Sequence, residues 1–220
     1  LGTRKCLTII SEPSGITALD ISDSKSKLAA ITGDGRLLCW HNGMPLRYIP
    51  VRTGDRVITA HKFIPGGDRL ATGDDTGMID IWNTSSGLAD GDASGHTTAV
   101  RSIAFDRSDN QMLTADATGE IRLWTMANLD QPPVVFTDGE ENVLHLAFSD
   151  EGEAFLSATQ NDVIRRPAHI RCMTAGICDM VSRNLTLQEW SAYVGRDIEY
   201  EPACPGKEYR IRVREIRGAR

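Results

Sequence analysis

Apolar and polar residues alternate along this chain in short runs that end on a large aromatic side chain. Thr114 to Trp124 reads as a strand, a tight turn at Gly119 and a second strand closing on tryptophan, the pattern of a β-hairpin. Gly33 to Trp40 and Gly73 to Trp82 repeat it, so that Trp40, Trp82 and Trp124 fall 42 residues apart. A fourth copy, Ser157 to Arg166, has arginine where tryptophan is due. Another alternating strand precedes each hairpin, and Ile21, Phe63, Phe105 and Phe148 in these strands are spaced by 42, 42 and 43 residues. Turn residues follow, as in Pro65-Gly66-Gly67-Asp68 and Ser149-Asp150-Glu151-Gly152. A period of this length predicts repeated units of several short antiparallel strands.

Gly95-His96 ahead of Trp124, with the glycine-led endings at Trp82 and Trp124, resembles the WD-repeat β-propeller family over roughly residues 1 to 166. The resemblance implies an all-β fold and structural roles for Trp40, Trp82, Trp124 and His96. It assigns Asp34 to the turn aspartate of a buried hydrogen-bond network with histidine and tryptophan. Thr76 and Thr118 stand in the equivalent places, so apolar packing between blades is expected to carry more of the stability. The tryptophans are expected to end inner strands and pack between blades. Arg166 is expected to keep its stem in that packing while its head reaches water or a carboxylate.

Three clear repeats and one degenerate repeat give about four blades, at the low end of the four to eight that close a propeller. The remaining blades are expected from the parent chain or from a second copy of this piece. With Leu1 in place of an initiator methionine, the chain is read as part of a longer polypeptide, and Lys5 to Ile10 as an outer strand. Short polar connections such as Asn83-Thr84-Ser85-Ser86-Gly87 place partner binding on the loop faces.

The period stops after the fourth repeat, which sets the propeller at residues 1–170 and a C-terminal extension, packed on it, at 171–220. Met173, Ile177, Met180 and Val181 lie at helical spacing. Thr186 and Glu189 form a capping-box pattern, with Leu185 and Trp190 at the staple positions and Gly195 as C-cap, predicting a helix from Leu187 to Val194 with Trp190 buried. Tyr209, Ile211 and Val213 alternate with Arg210, Arg212 and Arg214, which predicts a final strand. Lys207 to Arg220 holds six basic and two acidic residues, so the rest of the chain carries −10 of the net −6; docking of this strand onto the acidic body is expected.

Cys178, then Arg183-Asn184-Leu185-Thr186, Glu189-Trp190, Tyr193-Val194-Gly195, Tyr200 and Cys204-Pro205, is similar to the C-terminus of large bacterial WD-repeat proteins. In that group the propeller follows a STAND-type nucleoside-triphosphatase or a caspase-like module. The similarity implies the sensing end of a signalling or defence protein, binding a protein partner or trigger. A self-assembling structural module and a propeller hydrolase with a channel site are the other readings.

Composition narrows these readings. With 40 % hydrophobic and 25 % charged residues there is ample material for a core, and no apolar run approaches the ~20 residues that span a bilayer. An acidic chain of pI near 5.4 lacks the basic surface that nucleic acid requires. Five cysteines without a close pair indicate neither a zinc site nor a disulfide framework, and a reduced, cytoplasmic protein is expected, with Cys178 and Cys204 near each other if the tail folds back. The histidines are scattered without metal-ligand spacing, and no nucleophile elbow, phosphate loop or carboxylate pair is present in the sequence. No cofactor, metal or catalytic residue is therefore expected.

Overall fold

The structure, a computed structural model, describes residues 12–41, 47–48, 56–137, 142–169, 173, 178, 180–193, 199–200, 202 and 204. Two compact units divide the chain, Leu1–Arg166 and Pro167–Arg220.

In the first unit the alternating runs form four antiparallel sheets in which strands neighbouring in sequence pair. The first sheet is β1 (Ile16–Ile21), β2 (Lys27–Thr32), β3 (Leu37–His41) and β4 (Arg47–Tyr48). The second is β5 (Ile58–Phe63), β6 (Arg69–Asp74), β7 (Ile79–Asn83) and β8 (Ala89–Ala93). The third is β9 (Val100–Phe105), β10 (Gln111–Asp116), β11 (Ile121–Thr125) and β12 (Val134–Phe136). The fourth has three strands, β13 (His145–Phe148), β14 (Ala154–Ala158) and β15 (Val163–Pro167).

A shared register explains the 42-residue period. Leu28 pairs with Trp40, Leu70 with Trp82 and Met112 with Trp124. Tryptophan thus sits on the third strand of its sheet, and it is the first strands, β1, β5, β9 and β13, that contact one another from sheet to sheet. The expectation that tryptophan ends an inner strand is corrected accordingly.

Both faces of an inner sheet are apolar because each packs on a neighbour. Ala29, Ile31, Leu37 and Cys39 of the first sheet pack with Ile58, Phe63 and Leu70 of the second. Ala71, Ile79 and Ile81 then pack with Val100, Met112 and Trp124 of the third. Burying one such aliphatic side chain contributes about 1.5–3 kcal/mol, so these junctions hold the unit together. Burial also pushes the Cys39 thiol up to about 12, which makes it a packing group.

Ion pairs repeat across the same junctions. Lys27 Nζ lies 2.9 Å from Asp68, Arg69 meets Asp109 at 2.5 Å and Arg107 meets Asp150 at 2.9 Å, each bridging one sheet to the next. Lys62 Nζ reaches Asp20 at 2.8 Å, and the Phe63 amide donates to the same carboxylate.

The second unit contains one described helix, α1 (Leu187–Tyr193), with no fully buried residue. Thr186 Oγ1 accepts from the Glu189 amide at 3.2 Å, and the Thr186 amide donates to Glu189 Oε2 at 2.8 Å. Arg183 grips both Glu189 oxygens at 2.7 and 2.8 Å and holds that carboxyl at about 2. Trp190 is half-buried and meets Tyr200 edge to face at 5.5 Å, a partner that sequence pattern did not suggest. Met173 donates its amide to His169 O at 3.0 Å, and Met180 is exposed, which departs from a shared apolar face. The expected strands Lys5 to Ile10 and Tyr209 to Val213, together with Ile177, Val194 and Gly195, lie outside the described residues.

Cys178 and Cys204 form a disulfide with Cα atoms 5.3 Å apart. The expected proximity of Cys178 and Cys204 is met and they are joined, whereas a fully reduced chain was expected: the two cysteines are 26 residues apart, a spacing that carries no signature of its own.

Candidate interaction site

The hairpin turns define what is rigid. Asp116 Oδ1 accepts from the Thr118 amide at 2.9 Å, the Thr118 hydroxyl at 2.6 Å and the Glu120 amide at 3.1 Å, closing the β10–β11 turn. Asp74 does the same with Thr76 and Met78. Gly77, at φ 93°, completes that turn where a Cβ would stand 2.4 Å from the His96 carbonyl oxygen, so only glycine fits.

A complete polar chain runs beneath the third turn. Trp124 Nε1 donates to Thr114 Oγ1 at 2.8 Å, and Thr114 Oγ1 lies 2.7 Å from His96 Nε2. With that hydroxyl donating to Nε2, the proton of the neutral ring sits on Nδ1. Nδ1 faces Asp116 Oδ2 at 3.3 Å and Glu120 Oε1 at 3.5 Å, outside hydrogen-bond geometry but close enough for strong electrostatic attraction. Burial pulls the pKa of His96 down despite these carboxylates, so the ring is neutral at pH 7. Burial also pushes Asp116 upward, but the Thr118 hydroxyl and amide, together with His96, outweigh it, and the carboxyl titrates below its ordinary range.

The network aspartate is therefore Asp116, and Asp34 is corrected. Asp34 lies in the outer part of its turn, bonded to Thr32, Arg36 and Ser14. Thr32 occupies the network position, paired with Ile16 as Asp74 is with Ile58 and Asp116 with Val100. Carboxylate and hydroxyl have exchanged places in the first sheet. Ala30 stands where Thr72 and Thr114 stand, and the Trp40 indole nitrogen is buried without a hydrogen-bond partner.

The second sheet is intermediate. Trp82 donates to Thr72 at 2.8 Å, while Arg56 Nη1 takes the outer oxygen of Asp74 at 2.6 Å, the role that His96 has on Asp116. In the fourth sheet Arg166 is buried and donates to Ser157 Oγ, so guanidinium replaces indole as the donor.

His96, Asp116 and Glu120 are close enough to be considered as metal ligands. Arg122 already supplies the local cation, with Nε 2.6 Å from Glu120 and its guanidinium 6.0 Å from the Trp124 ring centroid. His96 Nε2 is committed to Thr114. The cluster is built as a brace for the sheet.

A surface suited to a partner lies instead where the four first strands meet. They line a cleft of about 620 Å³ with Leu19, Lys62, Arg101, Arg107, Leu144 and His145 on its walls. Leu19 and Leu144 are exposed, as are Arg101 and His145. Lys62 and Arg107 are paired with Asp20 and Asp150. The cleft mixes apolar contact with charges of both signs, and among its described residues there is no nucleophile held by a base.

Residues 92–125 match the model of the WD domain, G-beta repeat. The chain is 27 % identical over 132 residues to human apoptotic protease-activating factor 1, covering 56 % of this chain and 10 % of that protein. It is 26 % identical over 119 residues to meiotic recombination protein rec14 of Schizosaccharomyces pombe, covering 54 % and 39 %. The chain thus spans well under half the length of these relatives. A mitotic checkpoint complex crystal structure contains a chain with TM-score 0.64 and 17 % identity, over 73 % of this chain and 52 % of that one, which establishes likeness of fold. The four sheets are of the WD-repeat type.

Proposed function

We propose that this chain is a non-catalytic protein-interaction propeller, the sensing part of a larger signalling protein. The observation that carries the reading is the cleft of the four first strands, in which Leu19, Leu144, Arg101 and His145 are presented to solvent by braced sheets. Similarity to a tenth of a protein named as a protease-activating factor supports a regulatory module coupled to an effector. The C-terminal resemblance to bacterial WD-repeat proteins points to an effector of the STAND or caspase-like kind, and a cytoplasmic setting accords with it. The test is specific capture from an extract of the source cell by the immobilised chain, compared with Arg101→Glu/Leu144→Asp. Capture lost in the variant at an unchanged unfolding midpoint supports the reading; capture that ignores the substitutions overturns it.

Exposed sheet faces favour a second, compatible reading, in which further blades complete a ring. Leu37, Ile79 and Ile121 are 0–1 % exposed, whereas Val163 at the same place in the fourth sheet is 68 % exposed. Ile21 of β1 is 52 % exposed. Another sheet, from the parent chain or a second copy, would cover them. Leu156 of β14 is exposed as well, and light scattering decides the source: a discrete dimer dispersed by Leu156→Asp/Val163→Asp supports the second copy, and a monomer removes it.

A further inference from the structure

The second unit is held by ties of two kinds, and they act on different segments. Between residues 183 and 204 the ties are non-covalent. Asn184 Nδ2 donates to the Cys204 carbonyl oxygen at 2.8 Å and the Cys204 amide donates to Asn184 Oδ1 at 2.8 Å, so one buried amide side chain pairs with both backbone groups of the cysteine. Tyr200 Oη donates to the Leu185 carbonyl oxygen at 2.9 Å, and Trp190 packs on Tyr200. The disulfide then joins this clamped Cys204 to Cys178. Cys204 is 5 % exposed whereas Cys178 is half-buried, so the two sulfurs differ in access.

From this arrangement we propose that Cys178–Cys204 is a redox-operated staple, opened and re-formed by exchange with a thiol of the glutathione class, with Asn184 as the positioning residue that keeps Cys204 in place while the bond is open. In the opening step an external thiolate attacks the more accessible Cys178 sulfur; a mixed disulfide forms there and Cys204 leaves as thiolate. A second external thiolate attacks the external sulfur of that mixed disulfide, releasing Cys178 as thiolate and carrying two electrons into the protein as the external disulfide forms. Closure is the reverse, with the external disulfide as oxidant. The 183–204 ties survive opening because none of them passes through Cys178. Buried Cys39 stands outside the exchange.

The experiment equilibrates the whole chain in glutathione buffers from fully reduced to fully oxidised, then traps thiols by alkylation and locates them by peptide mass. The expected result is a reversible transition of Cys178 and Cys204 together inside the range that glutathione spans. A bond that stays closed in the most reducing buffer is a static staple, and a pair that stays open in the most oxidising buffer is no staple; either overturns the proposal. Hydrogen exchange on the reduced chain should keep protection at 187–193, matching Cys178→Ser/Cys204→Ser, and protection lost there would refute the survival of the 183–204 ties. Asn184→Ala should slow re-closure about tenfold, roughly the effect of losing one to two buried hydrogen bonds on the pre-positioned state. Unchanged closure kinetics in Asn184→Ala refute the positioning role.

Discussion

The third and first sheets are built on the same register, yet they solve the problem of a buried indole differently. In the third sheet, Trp124, Thr114, His96 and Asp116 pass hydrogen bonds and charge from the core to the turn. In the first, Trp40 ends in a partnerless nitrogen, Ala30 replaces the threonine, and the carboxylate has moved out to Asp34. Packing residues are retained in both: Leu37 and Ile121 are equally buried. Apolar contact is thus the invariant part of the unit, while the polar brace varies from sheet to sheet. A missing member of the brace removes several bonds together, because each member serves two neighbours.

Breaking the complete brace should have the largest effect. Thr114→Val keeps the shape but strands the Trp124 N–H and His96 Nε2 in the interior. At about 1–3 kcal/mol for each unsatisfied group, a loss of about 3 kcal/mol is expected in urea unfolding. Substituting both indoles sharpens the contrast. Trp124→Phe should cost about 2–3 kcal/mol, combining lost packing with a lost hydrogen bond, whereas Trp40→Phe, which removes a stranded donor, should cost less than about 1 kcal/mol. Equal costs for the two would show that the brace adds nothing to packing.

Acid offers a third way to break the brace. Burial holds His96 and His61 neutral in the folded chain, with pKa values below the ordinary 6.5. Their contribution is fully present above pH 6.5 and is lost as pH falls through the folded-state values, because the unfolded chain takes up the protons first. The unfolding midpoint should therefore drop below pH 6.5, and the drop should be smaller in His96→Gln. The smallest change is expected for Arg166→Trp, within about 1 kcal/mol of the parent, since indole and guanidinium both offer a donor to Ser157. A large destabilisation there would mean that the fourth sheet is shaped around arginine.

The 42-residue period, the strand alternation and the tryptophan phase were legible because each repeats a side-chain pattern dictated by packing on two faces. The brace is harder to read, because Asp34 stands in line with Thr76 and Thr118 and not with Asp74 and Asp116. The signal was present in the sequence: Thr72-x-Asp74-x-Thr76-Gly77 recurs as Thr114-x-Asp116-x-Thr118-Gly119, while the first repeat reads Ala30-x-Thr32-x-Asp34-Gly35. Only the hydrogen bonds show which oxygen faces inward. Arg56 standing in for histidine had no signal, since it reaches Asp74 from outside the hairpin. Whether Cys178 and Cys204 pair is not legible in the sequence for a related reason: the Asn184 bonds to Cys204 join residues 20 positions apart.

The bridges between sheets bear on how the chain folds. Lys27–Asp68, Arg69–Asp109 and Arg107–Asp150 each join residues about 40 positions apart, and the longest side-chain bond described in the first unit, Lys27 to Thr84, spans 57. Each sheet therefore needs only its immediate neighbour to become ordered, and structure can grow along the chain one sheet at a time without first closing a large loop. The same economy sets the order of loss: partial unfolding should begin at the poorly braced first sheet and halt at its junction with the second.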